Sequence, residues 1–143
     1  MKKHRILVFD QDQSLRELLR TYLGGQGYEV LAFSDPTICP LYHKLLDETC
    51  RCPRNRPCAD SVLIDIKMKE INAFDFLKLQ RQRGCKALDA NKAVMSASMT
   101  RKFEATLAEF GYHHIKKPFR LEEIKNWIEE CATRLATRQN APS

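Results

Sequence analysis

The chain has no long apolar run. After the basic start MKKHR the apolar stretch is only ILVF (6–9), which Asp10 ends. That is too short for a signal-peptide core or a membrane span. Cytoplasm is the expected compartment, and there six cysteines should be reduced thiols or metal ligands, not disulfides. Internal repeats, linkers and a second domain are also missing. The 143 residues therefore read as one domain, large enough to bury a core without staples. Nor is there a continuous basic helix. The net charge of +6 is scattered over MKKHR, RCPRNR, RQRGCK and KPFR, which reads as a solvated surface and not as a nucleic-acid site. With 43% hydrophobic and 29% charged residues, disorder is excluded as well.

What is present is alternation. RILVF (5–9), YEVLAF (28–33), SVLIDI (61–66), AVMSAS (93–98) and HHIK (113–116) are short apolar runs of the kind that form buried strands. Between them lie helical stripes. One follows Ser14, a candidate N-cap, carries apolar residues at 15, 18, 19, 22 and 23, and closes at Gly24–Gly25. A second opens at Pro40 with Leu41, Leu45 and Leu46. A third carries Phe74, Phe76 and Leu77 to about residue 83, and a fourth carries Phe103, Leu107 and Phe110 up to Gly111. The last places Leu121, Ile124, Ile128, Cys131 and Leu135 on one face, with Trp127 alongside. Five strands alternating with five helices predict an α/β fold, a parallel sheet with helices on both faces. Residues 1–138 form the expected domain, with a cysteine-rich insertion at about 48–60 and a frayed tail at 139–143.

In such a sheet the functional crevice lies at the carboxyl ends of the strands. Asp10, Gln11 and Asp12 follow the first strand, Asp65 ends the third, Ser96 lies in the fourth and Lys117 follows the fifth. Clustered carboxylates repel one another unless a hard cation sits among them, and oxygen ligands suit magnesium. A carboxylate held beside magnesium and an ammonium can attack a phosphoryl group, while a hydroxyl donates to one of its oxygens.

LVFDQDQSLRELLRTYL, VLIDIKM, MSAS and KKPF together resemble the receiver domain of two-component response regulators, over nearly the whole chain. The resemblance implies a flavodoxin-like, three-layer α/β/α fold with strand order 2-1-3-4-5. It implies a phosphoacceptor that assists its own phosphoryl transfer and dephosphorylation, and not a free-standing enzyme. Phosphoryl would pass from a histidine kinase or phosphotransfer protein to Asp65. Asp10, Asp65 and the backbone carbonyl of Lys67 would hold magnesium, Ser96 would be the switch hydroxyl, and Lys117 would complete the site. The Lys117–Pro118 bond would be cis, and His114 would take the aromatic switch position. Output would run through a protein contact at about 100–130, from a monomer or a phosphorylation-linked dimer. Because only residues 118–143 follow Lys117, a stand-alone receiver with no nucleic-acid or membrane contact is expected.

The sequence departs from that pattern in three places. Gln11 stands where the family has an acid; its amide oxygen carries no charge, so magnesium affinity falls unless Asp12 compensates through a shifted turn. Lys69 and Ala73 replace a proline and a glycine after the third strand. His114 replaces Tyr or Phe, and can report pH or pack. These changes leave open a receiver that is never phosphorylated and acts by contact alone.

The segment TCRCPRNRPC (49–58) lengthens the stretch between the second and third strands beyond the family's usual spacing. It would enter the third strand at the end of the sheet opposite Asp65. Cys50, Cys52, Cys58 and Cys85 could converge there on zinc, pair as redox thiols, or remain ordinary loop thiols. Zinc or redox sensing is therefore a further alternative. Cys39 is too distant to join, His43 is a weaker substitute, and Cys131 reads as core.

Overall fold

The structure, a computed structural model, describes residues 3–34, 59–68 and 71–140. Five strands, β1 (Arg5–Phe9), β2 (Glu29–Phe33), β3 (Ser61–Asp65), β4 (Lys92–Ser96) and β5 (His113–Lys116), are joined in one parallel sheet. Their order is β2-β1-β3-β4-β5. The expected sheet is thus present. Among the described residues there are four α-helices, where five were expected: α1 (Gln13–Gly25), α2 (Ala73–Gln82), α3 (Arg101–Phe110) and α4 (Leu121–Asn140). The helix expected from Pro40 lies outside the described residues, as do Cys39, His43 and most of the cysteine-rich insertion.

Side-chain alternation along the strands builds two cores, one on each face. Leu7, Phe9, Val62, Ile64 and Val94 meet Phe74, Phe76, Leu77 and Leu107 from α2 and α3. Ile6, Val8, Leu63, Ala93 and Met95 meet Leu19, Leu23, Ile124, Trp127, Ile128 and Cys131 from α1 and α4. Cys131 is a core residue, as expected. Phe9 fixes one layer by meeting Phe76 edge to face, with centroids 5.6 Å apart.

Several boundaries move for local reasons. Asp12, and not Ser14, caps α1, because its carboxylate accepts the backbone N–H groups of Ser14 and Leu15. Strand β3 stops at Asp65, and β4 stops at Ser96 where the crevice begins. Gly111 closes α3 in the left-handed region, φ 76°, where a side chain would be strained.

The start of β4 holds a residue that the periodicity skips. Lys92 is fully buried at the amino end of the sheet. Among the described residues its Nζ has no hydrogen-bond partner, and its ion pair with Asp89 Oδ1 is long, 3.6 Å. A desolvated ammonium with so little compensation costs stability. Lys92→Met should therefore raise the unfolding free energy, by about 1 kcal/mol or more, measured by denaturant titration.

A second polar contact at this end ties the first strand to the third. His4 Nε2 and Ser61 Oγ are 2.7 Å apart. Burial holds the His4 imidazole below its ordinary 6.5, against the opposing pull of Asp60. Below pH 6.5 the unfolded chain therefore takes up this proton more readily than the folded one. The stability that neutral His4 contributes is present above 6.5 and lost as pH falls below it. Thermal midpoints should drop between about pH 7.5 and about 5.5, and His4→Gln should flatten the slope. The slope should shrink and not vanish, because burial also depresses His113, which is stacked on Trp127.

Candidate functional site

The carboxyl end of β1 delivers Asp10 into the interior. Its N–H donates to the Phe33 carbonyl at 3.0 Å, extending the ladder with β2, and the residue is 1% exposed. Every oxygen of this residue has a donor. Oδ1 accepts the N–H of Asp12 at 2.9 Å, Oδ2 accepts Lys117 Nζ at 2.9 Å, and the carbonyl accepts Arg16 Nη1 at 2.6 Å. A buried carboxylate is tolerable only with this kind of compensation.

Asp65 ends β3, the neighbouring strand, and its Oδ1 lies 3.6 Å from the same Lys117 Nζ. The N–H of Lys67 approaches that oxygen at 3.4 Å. Burial raises the Asp65 carboxyl above its ordinary 3.8, and the nearby Asp10 charge pushes in the same direction. Lys117 and the Lys67 N–H oppose both without cancelling them.

Lys117 is positioned from β5 and β4 together. Its N–H donates to the Ser96 carbonyl at 2.8 Å, and its bond to Pro118 is cis. Ser96 itself is buried, and its Oγ donates to the Ser98 carbonyl. The structure thus gathers Asp10, Asp65, Lys67, Ser96 and Lys117 at one end of the sheet.

Other expected residues fare differently. Asp12 is exposed, and its Oδ1 is engaged in capping α1, which is a structural role. Gln11 is exposed. His114 is half-buried on β5 opposite Val94, and among the described residues its buried Nε2 has no hydrogen-bond partner, so the ring packs. Cys85 is half-buried against the first core, with its N–H donating to the Gln80 carbonyl at 2.8 Å. Cys50, Cys52 and Cys58 lie outside the described residues. Among the described residues no three His, Cys, Asp or Glu side chains stand close enough to hold a metal, and zinc finds no support there.

Sequence reasoning missed Arg16 as a partner of Asp10. The signal was available: a helix capped at Asp12 turns its fourth residue back towards the strand that feeds it. It also missed the aromatic pair Phe74 and Phe103, which lines a cavity beside Asp65.

No family model matches the sequence. The chain is 27% identical over 146 residues to the DNA-binding response regulator MtrA of Mycobacterium tuberculosis (strain H37Rv), covering 99% of this chain and 54% of that protein. It is 24% identical over 140 residues to the alkaline phosphatase synthesis transcriptional regulatory protein SphR of Synechococcus elongatus, covering 97% and 51%. Among solved structures, a CheY-like response regulator receiver domain from Methanospirillum hungatei superposes with a TM-score of 0.71 at 17% identity, covering 96% of this chain and 99% of that one. Chemotaxis protein CheY4 of Vibrio cholerae gives 0.68 at 16% identity, covering 91% and 99%. The chain resembles response regulators in sequence and shares the fold of their receiver domains. It spans about half the length of the curated relatives it matches.

The raised Asp65 carboxyl has a consequence for stability. A group whose folded value exceeds its unfolded one contributes stability below the unfolded value and loses it as pH rises through the folded one. At neutral pH ionised Asp65 is thus a burden on the fold. Asp65→Asn should unfold at a higher temperature than the wild type at pH 7, with the gap closing as pH falls towards 3.8.

Proposed function

We propose that this receiver domain accepts a phosphoryl group on Asp65 from a histidine kinase or phosphotransfer protein and passes the signal on by protein contact. The observation that carries the reading is the shared ammonium, with Lys117 Nζ 2.9 Å from Asp10 and 3.6 Å from Asp65. Two carboxylates that converge on one cation form a nucleophile with its charge already partly neutralised. The half-buried Asp65 is the more accessible of the two, since Asp10 is 1% exposed and lies closer to the ammonium.

Asp10, Asp65 and the Lys67 carbonyl are hard oxygen donors. Because both carboxylates reach one ammonium, they lie close enough to share one cation. That set fits magnesium, which takes one or two carboxylates and keeps several waters. Magnesium, when bound, neutralises charge on the phosphoryl oxygens. Gln11 contributes at most an uncharged oxygen, so binding is weak. Asp12 does not compensate, since its carboxylate serves the helix.

Each chain group then has a role. Asp65 supplies the attacking oxygen, Asp10 holds Lys117, and Lys117 offers its ammonium to the equatorial oxygens. The Ser96 hydroxyl, now donating to Ser98, is the donor that can exchange that carbonyl for a phosphoryl oxygen. Such an exchange shifts the population of conformers across α3, β5 and α4, at about 100–130, where a downstream protein or a second receiver would dock.

Incubation with acetyl phosphate and magnesium should add about 80 Da by intact mass, one phosphoryl group, and Asp65→Asn should abolish it. If the wild type gains no mass even at high magnesium, Asp65 is not a phosphoacceptor. Gln11→Asp should tighten magnesium binding at least about tenfold by calorimetric titration.

A further inference from the structure

The cavity beside Asp65 is larger than a phosphoryl group requires. Its volume is about 440 Å³, within the range of small-molecule pockets, roughly 300–1,000 Å³. The lining divides by chemistry. Asp65, Lys67 and Lys117 supply charge, whereas Ile66, Phe74 and Phe103 supply apolar surface. Phosphoryl chemistry explains the first group and gives no role to the second.

The apolar part is preformed. Phe74 lies in the first turn of α2 and Phe103 in the first turn of α3. Their rings stack, with centroids 4.8 Å apart and planes at 23°. Each turn is fixed by a cap: Asn72 accepts the Asp75 N–H, and Thr100 accepts the N–H of Phe103 itself. Phe74 is buried, while Phe103 is only half-buried and keeps ring surface towards the cavity it lines.

The geometry points to a leaving-group site. The cavity binds the departing part of the phosphodonor, and Phe74 with Phe103 selects donors whose leaving group is a flat aromatic carboxylate over donors with a small one. This rests on the reading of Asp65 as phosphoacceptor. In the step, an Asp65 oxygen forms a bond to phosphorus and the bond from phosphorus to the acyl oxygen breaks. The electron pair leaves with the acyl oxygen as a free aryl carboxylate, so no proton and no further reactant is needed. An aromatic acyl group gains ring contacts against Phe103, and an acetyl group has too little surface to do so.

The test compares benzoyl phosphate with acetyl phosphate as donors to the intact chain. Initial rates of Asp65 labelling are read by intact mass at one magnesium concentration. The ratio of the two rates removes effects common to both donors. That ratio should fall about three- to tenfold in Phe103→Ala, in line with the worth of an aromatic contact. Ala97→Leu fills the cavity from an exposed position, so it tests the same site without touching the core. It should lower the ratio too, and it decides the matter alone if Phe103→Ala fails to fold. A ratio unchanged by Ala97→Leu overturns the leaving-group site. Labelling by neither donor overturns the phosphoacceptor reading itself.

Discussion

One ammonium organises the carboxyl end of this sheet. Lys117 comes from the loop after the edge strand β5, yet its nitrogen sits against Asp10 at the end of β1, three strands further in. It crosses the sheet end in front of β4 and β3, and that path brings it to Asp65. Without a cation here, Asp10 would be a charge buried at 1% exposure facing a second carboxylate, a burden of several kcal/mol. The unequal distances matter. The closer partner, Asp10, is the one that cannot reach water, and the looser partner, Asp65, is left with a raised affinity for a proton and a contact the lysine can exchange.

The same sheet treats its other end in the opposite way. At the amino edge Lys92 is buried with a single long ion pair, while Asn91 links Asp60, Cys131 and Arg134 through its amide. These contacts tie the turn before β4 to β3 and to α4, and they face nothing that reacts. Polar groups at the amino end therefore fasten elements together, and those at the carboxyl end converge on an open cavity. Residue type alone does not separate these roles, since both ends hold Asp, Lys and a buried Ser near one another.

That contrast explains how much the sequence could tell. The sheet was legible because β1, β3 and β4 are buried on both faces and must be apolar throughout, which periodicity registers directly. Asp10, Asp65, Ser96 and Lys117 were legible because the chain breaks from apolar to polar where each strand meets the crevice. Asp12 was offered as a possible metal ligand because an acid after a strand and an acid before a helix are one residue seen from two sides; the hydrogen bonds to Ser14 and Leu15 show the capping role. Lys92 escaped because strand periodicity has no place for a fully buried ammonium. Phe74 and Phe103 read as ordinary core at helical spacing. Their meeting beside Asp65 depends on how two helices pack, and no local pattern encodes it.

The cap at Asp12 bears on metal loading in a way that composition does not suggest. An acid at position 11 would add a full charge beside Asp10 and Asp65, whereas here Asp10 also pairs with Lys117 and the next acid caps a helix. Relocating Asp12 to a metal would leave the N–H groups of Ser14 and Leu15 without their cap, at a cost of about 1 kcal/mol. That would also loosen the turn holding Asp10, because the Asp12 N–H is one of the two donors to its carboxylate. Cation affinity and the rigidity of the buried carboxylate are thus coupled through one turn. An acid at position 11 leaves this turn intact, whereas recruiting Asp12 to a cation would break it. On the proposed reading, position 11 is therefore where an acid would favour magnesium without disturbing the lysine that holds Asp10.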